Sequence, residues 1–168
     1  MHTKRSPCIV DIEASGFGPD SYPIEVGVVK GNGDRYCTLI KPDDNWTHWS
    51  REAETVHGIP RSTVMERGRC IRDVCEQLNA FLSEQDVYSD AWAHDERWLA
   101  RLFRMANMLP SFQLKAIEFI MEEQQFAIWD TVKKEMTDTL NIERHRASSD
   151  ALLIQQTYVR TLSDITPS

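Results

Sequence analysis

The tetrapeptide Gly31-Asn32-Gly33-Asp34 separates two strand-like segments, residues 24–29 and 35–41. Asn-Gly and Gly-Asp pairs enter left-handed backbone conformations cheaply, so this arrangement favours a tight β-hairpin. The first segment is apolar apart from Glu25; the second alternates Tyr36, Thr38 and Ile40 with Cys37 and Leu39. A further apolar run, residues 7–13, precedes the hairpin and ends in acids. Helical periods dominate the rest. Ser50 is placed to cap a short helix to residue 55, which His57-Gly58-Ile59-Pro60 breaks, and a second starts at Arg61 or Ser62. Residues 70–83 carry Ile71, Val74, Cys75, Leu78, Phe81 and Leu82 at helical spacing. Residues 86–89 read as a short strand and 91–107 as a helix ended by Pro110. Residues 112–117 read as a fifth strand, where helix competes. Residues 118–140 read as a helix with a break, and 149–162 as the last helix. Strands first and helices interleaved later imply an α/β sheet with a hairpin edge.

At 168 residues the chain is expected to be one domain, residues 1–168, with a substantial core. The N-terminus has basic residues but no apolar segment behind them, and no run approaches the roughly 20 apolar residues of a membrane span. Cys8, Cys37, Cys70 and Cys75 show no zinc-type pairing, so they read as reduced thiols in a cytoplasmic protein. The net charge of −7 argues against broad electrostatic binding of nucleic acid. It leaves room for a short footprint if metal ions reverse the local field.

The acids carry the chemistry. Asp11 and Glu13 are two apart at a strand end and so share one face. Like charges there need a cation between them, or else a solvated strand terminus. The stripe Trp98, Leu99, Leu102, Ala106 extends back through Asp95, so a carboxylate stands where a helix faces the core. That position is costly without a metal, a buried ion pair or a capping role. Asp90 rivals it as a ligand but sits more naturally as an N-cap. Asp150 begins the last helix, where Ser148 and Ser149 are available to cap and a helix-start acid is favoured in any case. His145, between Arg144 and Arg146, is a surface residue or, beside a metal centre, a candidate general base. The flanking arginines would favour its neutral form and could contact phosphate. Four carboxylates suit hard divalent cations, and two such ions suit in-line phosphoryl displacement.

These segments resemble the 3′–5′ exonucleases with Asp-Glu-Asp-Asp ligands, in the histidine-bearing (DnaQ-like) branch. That family includes the proofreading subunit of bacterial DNA polymerase III and oligoribonuclease. The resemblance rests on Asp11-Ile12-Glu13-Ala14-Ser15-Gly16, on Asp95 with Trp98-Leu99 after it, on His145 with Asp150 five residues on, and on His57-Gly58-Ile59. It spans residues 7–160. Many relatives carry His-Asn where Ser89-Asp90 stands. The resemblance implies a ribonuclease H-like fold with a five-stranded mixed sheet flanked by helices. It also implies two Mg²⁺ or Mn²⁺ ions held by Asp11, Glu13, Asp95 and Asp150, with His145 as general base. Single-stranded DNA or RNA would be shortened from its 3′ end to nucleoside 5′-monophosphates. Ala14, Ser15, Gly16, Phe17 and His57 would bind the terminal nucleotide. Phe17 would stack on or wedge beside its base, or else pack back on the core; Trp46 and Trp49 are lesser candidates and suit core or lid packing better.

Two other readings compete: a catalytically quiet nucleic-acid-binding or polymerase-associated module, and a metal phosphoesterase for small nucleotides. Residues 118–140, with Phe119, Ile120, Phe126, Ile128 and Trp129, offer either core or a homodimer face.

Overall fold

The computed structural model describes residues 6–141 and 145–166. Five strands, β1 (Cys8–Ala14), β2 (Pro23–Val29), β3 (Arg35–Leu39), β4 (Asp86–Ser89) and β5 (Gln113–Ala116), form one mixed sheet in the order β3-β2-β1-β4-β5. β1, β2 and β3 are antiparallel; β4 runs parallel to β1, and β5 to β4. This is the expected ribonuclease H-like architecture. The hairpin forms as anticipated: Gly33 takes φ 91°, and its N–H bonds the Lys30 carbonyl at 3.0 Å.

The described residues form six α-helices, α1 (Arg51–His57), α2 (Arg61–Arg67), α3 (Ile71–Leu82), α4 (Trp92–Met105), α5 (Glu123–Leu140) and α6 (Ala147–Ile165), of which α4 and α6 lie against the sheet and α5 packs on α6. Ser50 caps α1, its side chain accepting from the Ala53 N–H, as the sequence predicts. Within residues 112–117, where helix competed, Gln113–Ala116 form β5, because pairing with β4 supplies backbone partners that a short isolated helix lacks. The break expected within residues 118–140 is real. A single 3-10 turn (Ile117–Ile120) precedes α5, whose start is closed by a capping box between Glu122 and Gln125. The fourth helix ends at Met105, before Pro110, where Asn107 turns to φ 53°.

Alternation along β1 sorts the core into two layers. Cys8, Val10, Ile12 and Ala14 face α3 and α4, with Leu78, Trp98 and Leu102. Ile9 faces α6, with Ala151, Ile154 and Tyr158. Asp11 and Glu13 continue the Ile9 row, so the pleat directs both acids toward the start of α6. Phe119 and Phe126 remain exposed, whereas Ile120 and Trp129 pack against the second layer. The four cysteines are free thiols, and no helix is long and apolar enough to cross a membrane among the described residues.

Candidate active site

The carboxylates meet at the C-terminal ends of β1 and β4. Oxygens of Asp11, Glu13 and Asp150 lie within 4.8 Å of one another. Asp95 is outside that close group but lines the same cavity of about 290 Å³, as do His145, Asp90 and His57. Residues more than 130 positions apart thus converge because α6 lies directly on the hairpin side of the sheet.

That contact has a local cause. A Cβ on Gly27 would sit 2.3 Å from the Ala147 and Ser148 backbone, so only glycine lets the first turn of α6 touch β2. The neighbouring Glu25 supplies the cap: its Oε2 accepts from the Ala147 N–H at 2.9 Å, and its Oε1 accepts from Arg146 Nη2 at 2.7 Å. Two sequence expectations are corrected here. α6 begins at Ala147 rather than Ser149, so Ser148 and Ser149 lie inside the helix and do not cap it. Arg146 pairs with the 1% exposed Glu25 carboxylate, a buried charge that demands a cation. Glu25, read only as a polar interruption of its strand, organises the site. The available signal was one acid in a seven-residue strand that is buried throughout. Arg144 lies outside the described residues.

Asp150 accepts the His145 backbone N–H at Oδ2, 2.9 Å away, and His145 adopts φ 63°. This bond ties the histidine to the helix start and leaves its exposed ring at the cavity. Asp95, 1% exposed in the first turn of α4, accepts from Ser89 Oγ at 2.5 Å. Burial, with the charges of Asp90 and Glu13 added, pushes Asp95 up to about 8 against the opposing hydrogen bonds from Ser89 and the Ile12 backbone. Burial and then the charges of Asp95, Glu13, Asp150 and Asp90 hold Asp11 well above the usual carboxylate range. Asp11 Oδ2 is buried with no hydrogen-bond partner. Clustered hard oxygen donors, one of them orphaned, fit a divalent cation: the group cannot ionise together without one.

Asp90 is not the N-cap of α4. That position falls to Ala91, whose own N–H bonds Ser89 Oγ at 2.9 Å. Asp90 instead pairs with Lys133 of α5 at 2.6 Å, a partner that sequence distance concealed.

The loop after β1 forms the cavity's other wall. Arg97 Nη2 donates to the Phe17 carbonyl at 2.9 Å, Arg101 Nη1 to the Ser21 carbonyl at 2.8 Å, and Trp98 Nε1 to Ser21 Oγ at 2.9 Å. Its backbone pinned to α4, the loop presents the Phe17 ring 67% exposed, edge-on to His94 at 5.9 Å. Ala14, Gly16 and Phe17 line the cavity, but Ser15 does not. Its buried hydroxyl lies 3.0 Å from His48 Nδ1 and accepts the Tyr22 N–H. His57 accepts the Ile59 N–H at Nδ1, 3.0 Å away, so its neutral ring carries the proton on Nε2. That nitrogen is buried without a partner, and desolvation lowers the pKa of the ring. Trp46 stacks on Tyr22 in the core, and Trp49 Nε1 bonds Glu54, so both serve packing.

No protein-family model matches the chain, and no curated protein matches it in sequence. Solved structures do. Escherichia coli exonuclease I in complex with a dA16 oligonucleotide superposes with TM-score 0.68 and 12% identity, over 92% of this chain and 40% of that one. Exonuclease I from Methylocaldum szegediense gives 0.71 and 13%, over 96% and 41%. The zinc-bound E. coli exonuclease I–single-stranded DNA complex gives 0.71 and 13%, over 94% and 41%. The chain therefore spans about two-fifths of the length of these exonucleases and shares their fold over that part.

Proposed function

We propose that this chain is a metal-dependent 3′–5′ exonuclease domain acting on single-stranded nucleic acid and releasing nucleoside 5′-monophosphates. The observation that carries the reading is the meeting of Asp11, Glu13 and Asp150 within 4.8 Å, with Asp11 Oδ2 buried and unpartnered. The shared fold with exonuclease I supports it, and the DNA oligonucleotides in those complexes favour single-stranded DNA as substrate.

Asp11, Glu13, Asp95 and Asp150 would hold two Mg²⁺ or Mn²⁺ ions. Such ions, when bound, offset the charge that builds on the phosphoryl group and the leaving oxygen. His145, its backbone tethered to Asp150, would take the proton of the attacking water. Phe17 offers an aromatic face or edge to the terminal base, a contact worth about 1–3 kcal/mol. His57 offers its Nε2–H, an unsatisfied donor, to an acceptor on the terminal nucleotide.

The test is release of mononucleotides from a 3′-labelled oligomer in Mg²⁺ or Mn²⁺. Asp11→Ala and Asp150→Ala should each abolish it. Activity surviving either change sinks the site assignment. Binding of a 3′ end without any release identifies a quiet binding module, and faster turnover of a dinucleotide than of a long oligomer identifies a small-nucleotide phosphoesterase.

A further inference from the structure

The cavity has an electrostatic problem. Five carboxylates line it, and Lys133 is the one lysine or arginine side chain that does so among the described residues. A polyanionic strand entering a net-negative pocket is repelled. Two divalent cations, when bound, would return four of the five charges, and Lys133 the fifth, which would leave a neutral pocket for the phosphodiester.

The placement of Lys133 fits that task. It follows Val132, one of the two buried residues of α5, so packing fixes the base of its side chain. Its tip crosses to Asp90, with Nζ 2.6 Å from Oδ2 and the side chain 25% exposed. An ammonium has three donors. One is given to Asp90, and the ammonium makes no other hydrogen bond among the described residues. Asp90 itself lies near enough to the metal-site acids to raise both Asp11 and Asp95. The ammonium is therefore held beside the carboxylate cluster with donors to spare.

Resting on the exonuclease reading, we infer that Lys133, oriented by Asp90, binds one backbone phosphate of the strand and so sets substrate affinity. The contact is a charge-assisted hydrogen bond, N⁺–H to a non-bridging phosphate oxygen. It reaches the site from α5 and uses none of the metal-holding acids.

The experiment compares wild type with Lys133→Met, Lys133→Arg and Asp90→Asn. Each is assayed for turnover in Mg²⁺ and for binding in Ca²⁺ to oligonucleotides carrying a single uncharged methylphosphonate, moved one position at a time. Lys133→Met should raise KM about tenfold or more with kcat changed less than about threefold. The salt slope of its binding should fall by about one phosphate's worth. Lys133→Arg should restore KM, and Asp90→Asn, which keeps the cation, should raise KM less than Lys133→Met. Wild type should lose affinity at one methylphosphonate position to which Lys133→Met is indifferent. An unchanged KM in a folded Lys133→Met, or the same methylphosphonate profile in both proteins, overturns the inference. So does a loss in Lys133→Met that falls on kcat and melting temperature and is not rescued by arginine, since that marks a structural strut. If Lys133→Met does not fold, a wild type insensitive to every methylphosphonate overturns it alone. Failure of the exonuclease reading shows differently, as a wild type that releases nothing whatever its affinity for the strand.

Discussion

Asp95→Asn should make the metal-free protein more stable while destroying its activity. The carboxyl is 1% exposed and titrates at about 8 in the fold against 3.8 as a free side chain. Linkage then costs the folded state about 4 kcal/mol at pH 7, because folding must carry a proton that the unfolded chain releases. Asparagine is isosteric and uncharged, so that cost disappears. Its amide cannot accept at both ends, however, and one of the hydrogen bonds from Ser89 or the Ile12 backbone is lost, about 1 kcal/mol. The net gain of about 3 kcal/mol corresponds to a melting temperature higher by about 6–12 °C for a chain of this size. The sign follows from the raised folded value. The stability of the wild type is fully present below pH 3.8 and is lost as pH rises toward 8. Near pH 4 the gap should close, and below it the variant should be slightly the weaker. Saturating Mg²⁺ should reverse the order at pH 7, since only the wild type gains fully from binding. The assay is thermal melting in chelator and in Mg²⁺ from pH 4 to 8. A variant no more stable than wild type in chelator at pH 7, or a gap independent of pH, refutes the reasoning.

The remaining predictions concern the parts that hold and use the site. Gly27→Ala places a methyl group 2.3 Å from the Ala147 backbone; it should cost about 2–4 kcal/mol in a denaturant titration and weaken Mn²⁺ binding by calorimetry, since Asp150 moves with α6. Glu25→Gln removes the carboxylate that pairs with Arg146 and weakens the cap on α6. A loss of about 2–3 kcal/mol is expected, with melting the check. His145→Ala should lower kcat by about 10²–10⁴-fold while leaving metal affinity nearly intact, as single-turnover kinetics beside metal titration will show. A collapse of metal affinity instead makes His145 a ligand.

Local pattern alone was enough for the elements and most of the acids. The Gly31–Asp34 turn commits β2 and β3 to a hairpin, and the period of two in β1 puts Asp11 and Glu13 on one face. The stripe through Trp98, Leu99 and Leu102 marks Asp95 as an acid on a buried face, which is where it lies. These are properties of neighbours in sequence, governed by backbone geometry over a few residues. Long-range partners are governed by packing, which short-range periodicity does not encode. Glu25 capping α6 across 122 positions, Lys133 reaching Asp90 across 43, and Ser15 turning to His48 each needed the sheet to be assembled first. So did the choice of strand for β5, made by the partner beside it rather than by its own four residues. The chain's local chemistry determined which groups could bind a cation. The close approach of α6 to β2 at Gly27 decided that Asp150 joins Asp11 and Glu13, because only a backbone contact brings two helix and strand termini that near.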